Sequence, residues 1–324
     1  MRKMMKAALV MTALGMGGLP ALAATILPES GPLPKVTMER LLLIDATHRG
    51  SRVVAVGDRG YIVLSDDNGK TWRRAKSPPA PMLTAVTFVD ASTGWAVGHD
   101  SVILATNDGG ENWTQQFSAP AEQRPLLDVL FVDKSQGFAI GAYSAFYETS
   151  DGGKSWNPRK VIDDDKHLNA FVRLSQDKLL ILGEAGALLA SLDAGKTWSA
   201  IASPYKGSLF GGLVADDGAV IAFGLRGRIF RSTDDGKTWK PVDNASVATL
   251  MDGSKLPDGT LVIAGNGGTV LVSRANGQSF VPLETGSTKA FAKAVLGPPN
   301  AVLLFGETGA REVALPLAKR EGRP

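Results

Sequence analysis

Seven times along this chain a glycine closes a short apolar run: Gly57, Gly98, Gly141, Gly183, Gly224, Gly265 and Gly306, at intervals of 41, 43, 42, 41, 41 and 41 residues. The runs read VVAVG, GWAVG, GFAIG, LLILG, VIAFG, LVIAG and VLLFG. A period this regular means one supersecondary unit repeated, and about 40 residues is the size of a four-stranded propeller blade. The clearest unit runs from Met82 to Phe117, with MLTAVTFVD, TGWAVG, SVILAT and WTQQF as successive strands. Period-two alternation and tight turns, with no helical period, predict an antiparallel meander. One twisted sheet of this kind leaves a face unburied, so the units must pack on one another around an axis. The expected fold is an all-β, seven-bladed β-propeller.

A second signature follows each glycine except the last: SDDNGKTW (65–72), TNDGGENW (106–113), TSDGGKSW (149–156), SLDAGKTW (191–198), STDDGKTW (232–239) and SRANGQSF (273–280). It resembles the Asp-box of sialidases and BNR-repeat proteins. Its logic is local. Asp67, Asp108, Asp151, Asp193 and Asp234 are placed to accept hydrogen bonds from their own turn, and the following glycine takes the positive-φ position. The terminal Trp72, Trp113, Trp156, Trp198 and Trp239 each offer a large apolar face to bury between sheets and an N–H that needs a partner. Equivalent turns repeated around a ring point to folding rather than to metal or sugar sites, and one is decayed, with Ala275 and Phe280 replacing Asp and Trp.

The seventh unit has its glycine turn, FGETG, and a third strand around AREVAL, but Pro316 stands at the box aspartate position. Its outer strand must come from elsewhere or leave an open edge. Residues 24–36 are the expected closing strand, making 24–318 one propeller with a short tail, 319–324.

Residues 1–23 have Arg2, Lys3 and Lys6, an apolar stretch and the ending Ala21-Leu22-Ala23, the pattern of a cleaved secretory signal. The whole chain has 35 Lys plus Arg against 32 Asp plus Glu; the signal holds three of the bases and none of the acids, which leaves 32 of each. Nucleic-acid binding therefore has no electrostatic support. The absence of cysteine excludes disulfides and thiolate chemistry. A soluble, monomeric periplasmic protein is expected.

The rhythm of VGDRGYIVLSDDNGKTW (56–72) and FGLRGRIFRSTDDGKTW (223–239) resembles the Ycf48/Hcf136-like family, whose photosynthetic members are photosystem II assembly and stability factors. The resemblance covers the mature chain. It implies a propeller that binds protein without catalysis, here as an accessory factor to a membrane-protein complex or exporter, with peripheral membrane contact compatible.

In such a meander the glycine turns and the loops between blades share one face, and the boxes occupy the other. The glycine turns present Asp58-Arg59, His99-Asp100, Ala142-Tyr143, Glu184-Ala185, Leu225-Arg226, Asn266-Gly267 and Glu307-Thr308. Varied residues on a repeated scaffold mark a recognition surface. The partner-binding candidates are Arg59, Arg226, Asp58, His99, Asp100, Tyr143, Glu184 and Glu307, with the two arginines chief among them because they hold matching positions in GDRG and GLRG. Blade one is notably basic, with Arg49, Arg52, Arg59, Lys70, Arg73, Arg74 and Lys76. Arg226, Arg228 and Arg231 cluster in blade five. Guanidinium groups suit carboxylate or phosphate partners.

The alternative is a glycan-binding or sialidase-like propeller. Asp58, Asp100, Glu184 and Glu307 could be paired as glycosidase carboxylates. The sialidase arginine-isoleucine-proline stretch is absent from the first blade, and there are four tyrosines in all. No catalytic residue and no cofactor is assigned. No metal site is assigned either, since His48, His99 and His167 fall in different repeats and Asp163–Asp165 lacks the calcium-loop spacing.

Overall fold

The computed structural model describes residues 31–316. The signal segment 1–23 lies outside them. Seven antiparallel sheets follow one another along the chain, six with four strands and the last with three. In blade one the strands are Leu43–Arg49, Arg52–Gly57, Ile62–Ser65 and Arg73–Arg74, and their order in space is their order in sequence. First strands of successive blades lie against each other, and that of blade one meets that of blade seven, Phe291–Leu296. The ring is thus closed around a channel walled by first strands. This is the seven-bladed propeller that the period predicts.

The apolar core is divided into seven parts, each lying between two neighbouring blades. Between blades one and two, Val54, Ile62 and Leu64 meet Leu83 and Phe88 under Trp113. Each box aromatic seals its own blade to the preceding one: Trp72 against blade seven, Trp156 against two, Trp198 against three, Trp239 against four and Phe280 against five. At the sixth–seventh interface no box aromatic is present among the described residues, and Leu315 joins that cluster.

The repeated glycines have a cause the period alone does not reveal. Gly98 sits at φ −173, an extended conformation open to any residue. A side chain there, however, would drive its Cβ into the Met82 carbonyl oxygen, and at Gly57 and Gly306 into those of Leu42 and Ala290. Those same carbonyls accept the N–H of the next residue, Asp58 to Leu42 at 2.9 Å and His99 to Met82 at 2.9 Å. Close approach of the first strand to the turn excludes everything larger than glycine.

The N-terminal segment differs from expectation. Residues 24–30 of the expected closing strand lie outside the described residues. Residues 31–36 do not pair with blade seven: Pro32 bridges to Arg73, and the Leu33 N–H reaches the Trp72 carbonyl at 2.6 Å, extending blade one instead. A four-residue helical turn, Lys35–Met38, then leads into the first strand. Among the described residues no helix is long and apolar enough to cross a membrane.

Candidate functional site

The glycine turns and the loops between blades share one face of the ring. The Ser101 N–H donates to the Arg124 carbonyl at 3.1 Å, and the Ser144 N–H to that of Lys166 at 2.8 Å, each joining a glycine turn to the loop beside it. Boxes sit on the opposite face beside the first turn of each blade, with the Asn68 N–H on the Ser51 carbonyl at 3.0 Å. The glycine turns lie one strand out from the channel wall.

Five of these turns hold a side chain in the left-handed backbone region: Arg59 (φ 55), Asp100 (φ 56), Tyr143 (φ 55), Ala185 (φ 48) and Arg226 (φ 58). Blade six has Gly267 there, at φ 64. Its presence shows that the turn accepts glycine. A non-glycine residue in this conformation costs about 1 kcal/mol or more. Arg59, Asp100, Ala185 and Arg226 are exposed, and Tyr143 is 51% exposed.

The candidate residues fall into small groups. Asp58 and Arg59 pair within one turn at 3.4 Å. His99 and Asp100 stand together in the next. Tyr143 meets the edge of His167 with ring centroids 5.2 Å apart, and the Glu184 carboxylate accepts the His167 backbone N–H at 3.1 Å, so two candidates from adjacent blades converge on one loop residue. Glu307 lies 3.6 Å from Lys289. Arg226 has no ion pair among the described residues. The carboxylates of Asp58, Asp100, Glu184 and Glu307 sit in four different blades, with no hydrogen bond joining any two.

Most of the other arginines are engaged in structure. The Arg49 guanidinium donates to the Phe88 carbonyl of blade two. Arg52 reaches Asp66 at 2.6 Å, the Gly109 carbonyl at 3.0 Å and Glu111 at 2.9 Å. Arg73 clasps Glu111 from the same side, and Arg74 lies over the Tyr61 ring at 5.1 Å. In blade five, Arg231 pairs with Asp217 and the Asn276 carbonyl. The basic character of blade one is therefore largely a latch to its neighbour. Arg59, Arg226 and the exposed Arg228 stand apart from these latches.

The boxes are satisfied from within. In blade four the Ser191 hydroxyl donates to Asp193 at 2.8 Å and accepts the Gly195 N–H at 2.8 Å, while Asp193 also takes the N–H and hydroxyl of Thr197. Hydrogen bonds from Ser155, Thr197 and Thr238 hold Asp151, Asp193 and Asp234 at a pKa of about 2. The indole N–H of Trp72, Trp113 and Trp239 bonds the carbonyl of its own box glycine. Those of Trp156 and Trp198 find no protein acceptor, contrary to expectation. In blade four the Gly195 carbonyl is taken by Arg159 at 3.2 Å.

Sequence reasoning missed the channel. Asp45, Asp128, Asp252 and Lys293 occupy one equivalent position, two residues into the first strands of blades one, three, six and seven. Asp45 accepts the Val86 N–H of blade two at 2.8 Å, and Asp128 the Phe171 N–H of blade four at 2.7 Å. Lys293 bridges Asp252 at 2.5 Å and Asp45 at 3.4 Å. Thr84 and Asn169 bond the Leu126 and Leu209 carbonyls of their next blades. These side chains form a belt between first strands. Burial raises the Asp128 pKa to about 7 and that of Asp45 above its ordinary value. Flanking carboxylates hold Lys293 protonated despite its burial. The signal was present in LID, LLD and LMD, acids at matching positions of apolar strands.

Residues 115–281 match the family model described as photosynthesis system II assembly factor YCF48. A structure of YCF48 bound to D1 peptide is 20% identical, with a TM-score of 0.67 over 92% of this chain and 97% of that one. YCF48 from Cyanidioschyzon merolae is 17% identical, with a TM-score of 0.65 over 88% and 98%. A catalytically inactive virginiamycin B lyase from Staphylococcus aureus with quinupristin is 11% identical and has a TM-score of 0.71 over 88% and 99%. At such identities the likeness is one of fold. Comparison with curated protein sequences returns no match.

Proposed function

This chain belongs to the photosynthesis system II assembly factor YCF48 family, and we propose that it is an exported, non-catalytic propeller that holds a segment of a membrane-protein client on its glycine-turn face. The observation that carries this reading is the left-handed placement of Arg59, Tyr143 and Arg226 where Gly267 shows that glycine is accepted. A scaffold under no demand at that position would avoid the cost. A relative bound to D1 peptide supports a peptide as the kind of client. Arg59 and Arg226 suit acidic groups on it, so binding should weaken with salt, exposed charges being screened over about 10 Å at 0.1 M ionic strength. The periplasm is the proposed compartment, and a membrane complex or exporter component the proposed partner.

The test is photocrosslinking in the native periplasm, with the reactive group placed at Arg226 on one face or at Lys196 in a box on the other. Capture of one membrane protein from position 226 and not from 196 is expected. Glycoside turnover by the pure protein, abolished by Glu184→Gln or Glu307→Gln, would contradict the proposal.

A further inference from the structure

Three asparagines of this chain precede glycine: Asn68-Gly69, Asn266-Gly267 and Asn276-Gly277. With no Cβ to shield it, the glycine nitrogen of such a pair can attack the amide carbon of the asparagine before it. The first and third pairs lie in boxes, and the second is the glycine turn of blade six.

We propose that Asn266 is the site at which the folded protein deamidates, and that the two box asparagines are protected by the boxes themselves. Water is the only co-reactant. The Gly267 nitrogen bonds to Cγ of Asn266, the Cγ–Nδ2 bond breaks, and the departing nitrogen takes up the Gly267 amide proton and leaves as ammonia. Water then opens the five-membered imide at either carbonyl, giving aspartate or isoaspartate.

The nucleophile is the first argument. Ser65 Oγ accepts the Gly69 N–H at 2.7 Å, and Ser273 Oγ accepts the Gly277 N–H at 3.1 Å, so both box nitrogens are committed to the serine of their own turn. The Gly267 N–H has no acceptor among the described residues.

The asparagines themselves are the second. Asn68 Oδ1 accepts from His48 Nε2 at 3.0 Å, and the Asn276 carbonyl accepts from Arg231 Nε at 3.0 Å. Asn266 is exposed, and its side chain has no hydrogen bond among the described residues. Its backbone is held by the Thr249 carbonyl at 2.9 Å and, more loosely, by the Thr269 N–H at 3.2 Å.

Space is the third. The attack swings the side chain over the following peptide, which must turn to meet it. A Cβ placed on Gly69 would strike Leu303, and one on Gly277 would strike Ile221, so the box peptides are packed against the core. A Cβ on Gly267 would meet nothing within 4 Å, and a cavity of about 540 Å³ opens beside it, between loops 245–246 and 284–288. The product places a carboxylate on the face that carries Arg59 and Arg226.

The test needs no client. The folded full chain is held at mildly alkaline pH, sampled over days, and mapped by mass spectrometry for asparagine, aspartate and isoaspartate. A parallel sample in denaturant sets the rate of each pair without structure, and there the three rates should be alike. In the folded protein Asn266 is expected to convert at least about tenfold faster than Asn68 and Asn276, a difference in barrier of about 1.4 kcal/mol. Asn266 converting as slowly as the box pairs, or a box asparagine converting first, would overturn the proposal.

Discussion

Both faces of this propeller need left-handed backbone, and they supply it differently. On the box face the turns use Gly69, Gly110, Gly153, Gly195, Gly236 and Gly277, with Asn68, Asp235 and Asn276 among the residues just before them. These are the types that enter that region most cheaply, and Ala194 is an exception. On the glycine-turn face the first left-handed position holds Arg59, Asp100, Tyr143, Ala185, Arg226 and Gly267, and the second is glycine in four of those turns, Gly60, Gly186, Gly227 and Gly268. Repetition with cheap residues serves folding. Variation that includes costly residues, Arg59, Tyr143 and Arg226, at one position of a repeated turn is the observation on which the proposed client surface rests.

The contrast breaks most visibly under truncation of the box tryptophans. Trp156→Ala and Trp198→Ala should each destabilise by about 3–5 kcal/mol, the cost of emptying a large buried aromatic position. Client affinity, measured well below the melting temperature, should stay at the wild-type level. A variant that melts like wild type but loses its client would move the site to the boxes.

Acidity sharpens the contrast, because box and channel carboxylates act in opposite directions. Asp151, Asp193 and Asp234 have folded pKa values of about 2, below the ordinary 3.8, so their contribution is present above 3.8 and lost as pH falls through 2. Asp128 is raised to about 7, so its contribution is present below 3.8 and lost as pH rises through 7, at about 1.4 kcal/mol per pH unit across that window. Melting temperature should therefore peak near pH 4 and fall on either side. Asp128→Asn should flatten the limb between 4 and 7; a limb that is already flat in wild type would refute the channel account.

A smaller effect concerns the strained turns. Arg59→Gly and Arg226→Gly should each stabilise by roughly 0.5–1 kcal/mol, relieving the left-handed cost, while weakening the client. Chemical denaturation reads the sign. Destabilisation would mean that the turns need those side chains for folding. Smallest of all, Phe280→Trp enlarges a buried side chain, but at a position where five other boxes seat Trp, so the change in stability should stay within about 1 kcal/mol, the low end of the cost of overpacking.

What could be read from sequence was whatever a segment satisfies within itself. A box aspartate finds its donors within four residues, as Asp193 does with Thr197, so its role is written locally. The role of Asp45 depends on Val86, one blade further on. Arg52 and Arg73 likewise read as a basic patch until Glu111 of blade two is brought against them. The N-terminal segment read as a strand for blade seven, but Pro32 and Leu33 bind the outer edge of blade one. Strand order within a blade is legible; partners across the blade boundary are set by packing that no local pattern encodes.

The central claim is that binding belongs to the glycine-turn face and stability to the box face. Its most direct test is the affinity of the crosslinked client for the Arg59→Glu/Arg226→Glu double variant, read beside its melting temperature. The account predicts at least tenfold weaker binding, about 1.4 kcal/mol, with melting unchanged. Wild-type affinity in the folded double variant would contradict it.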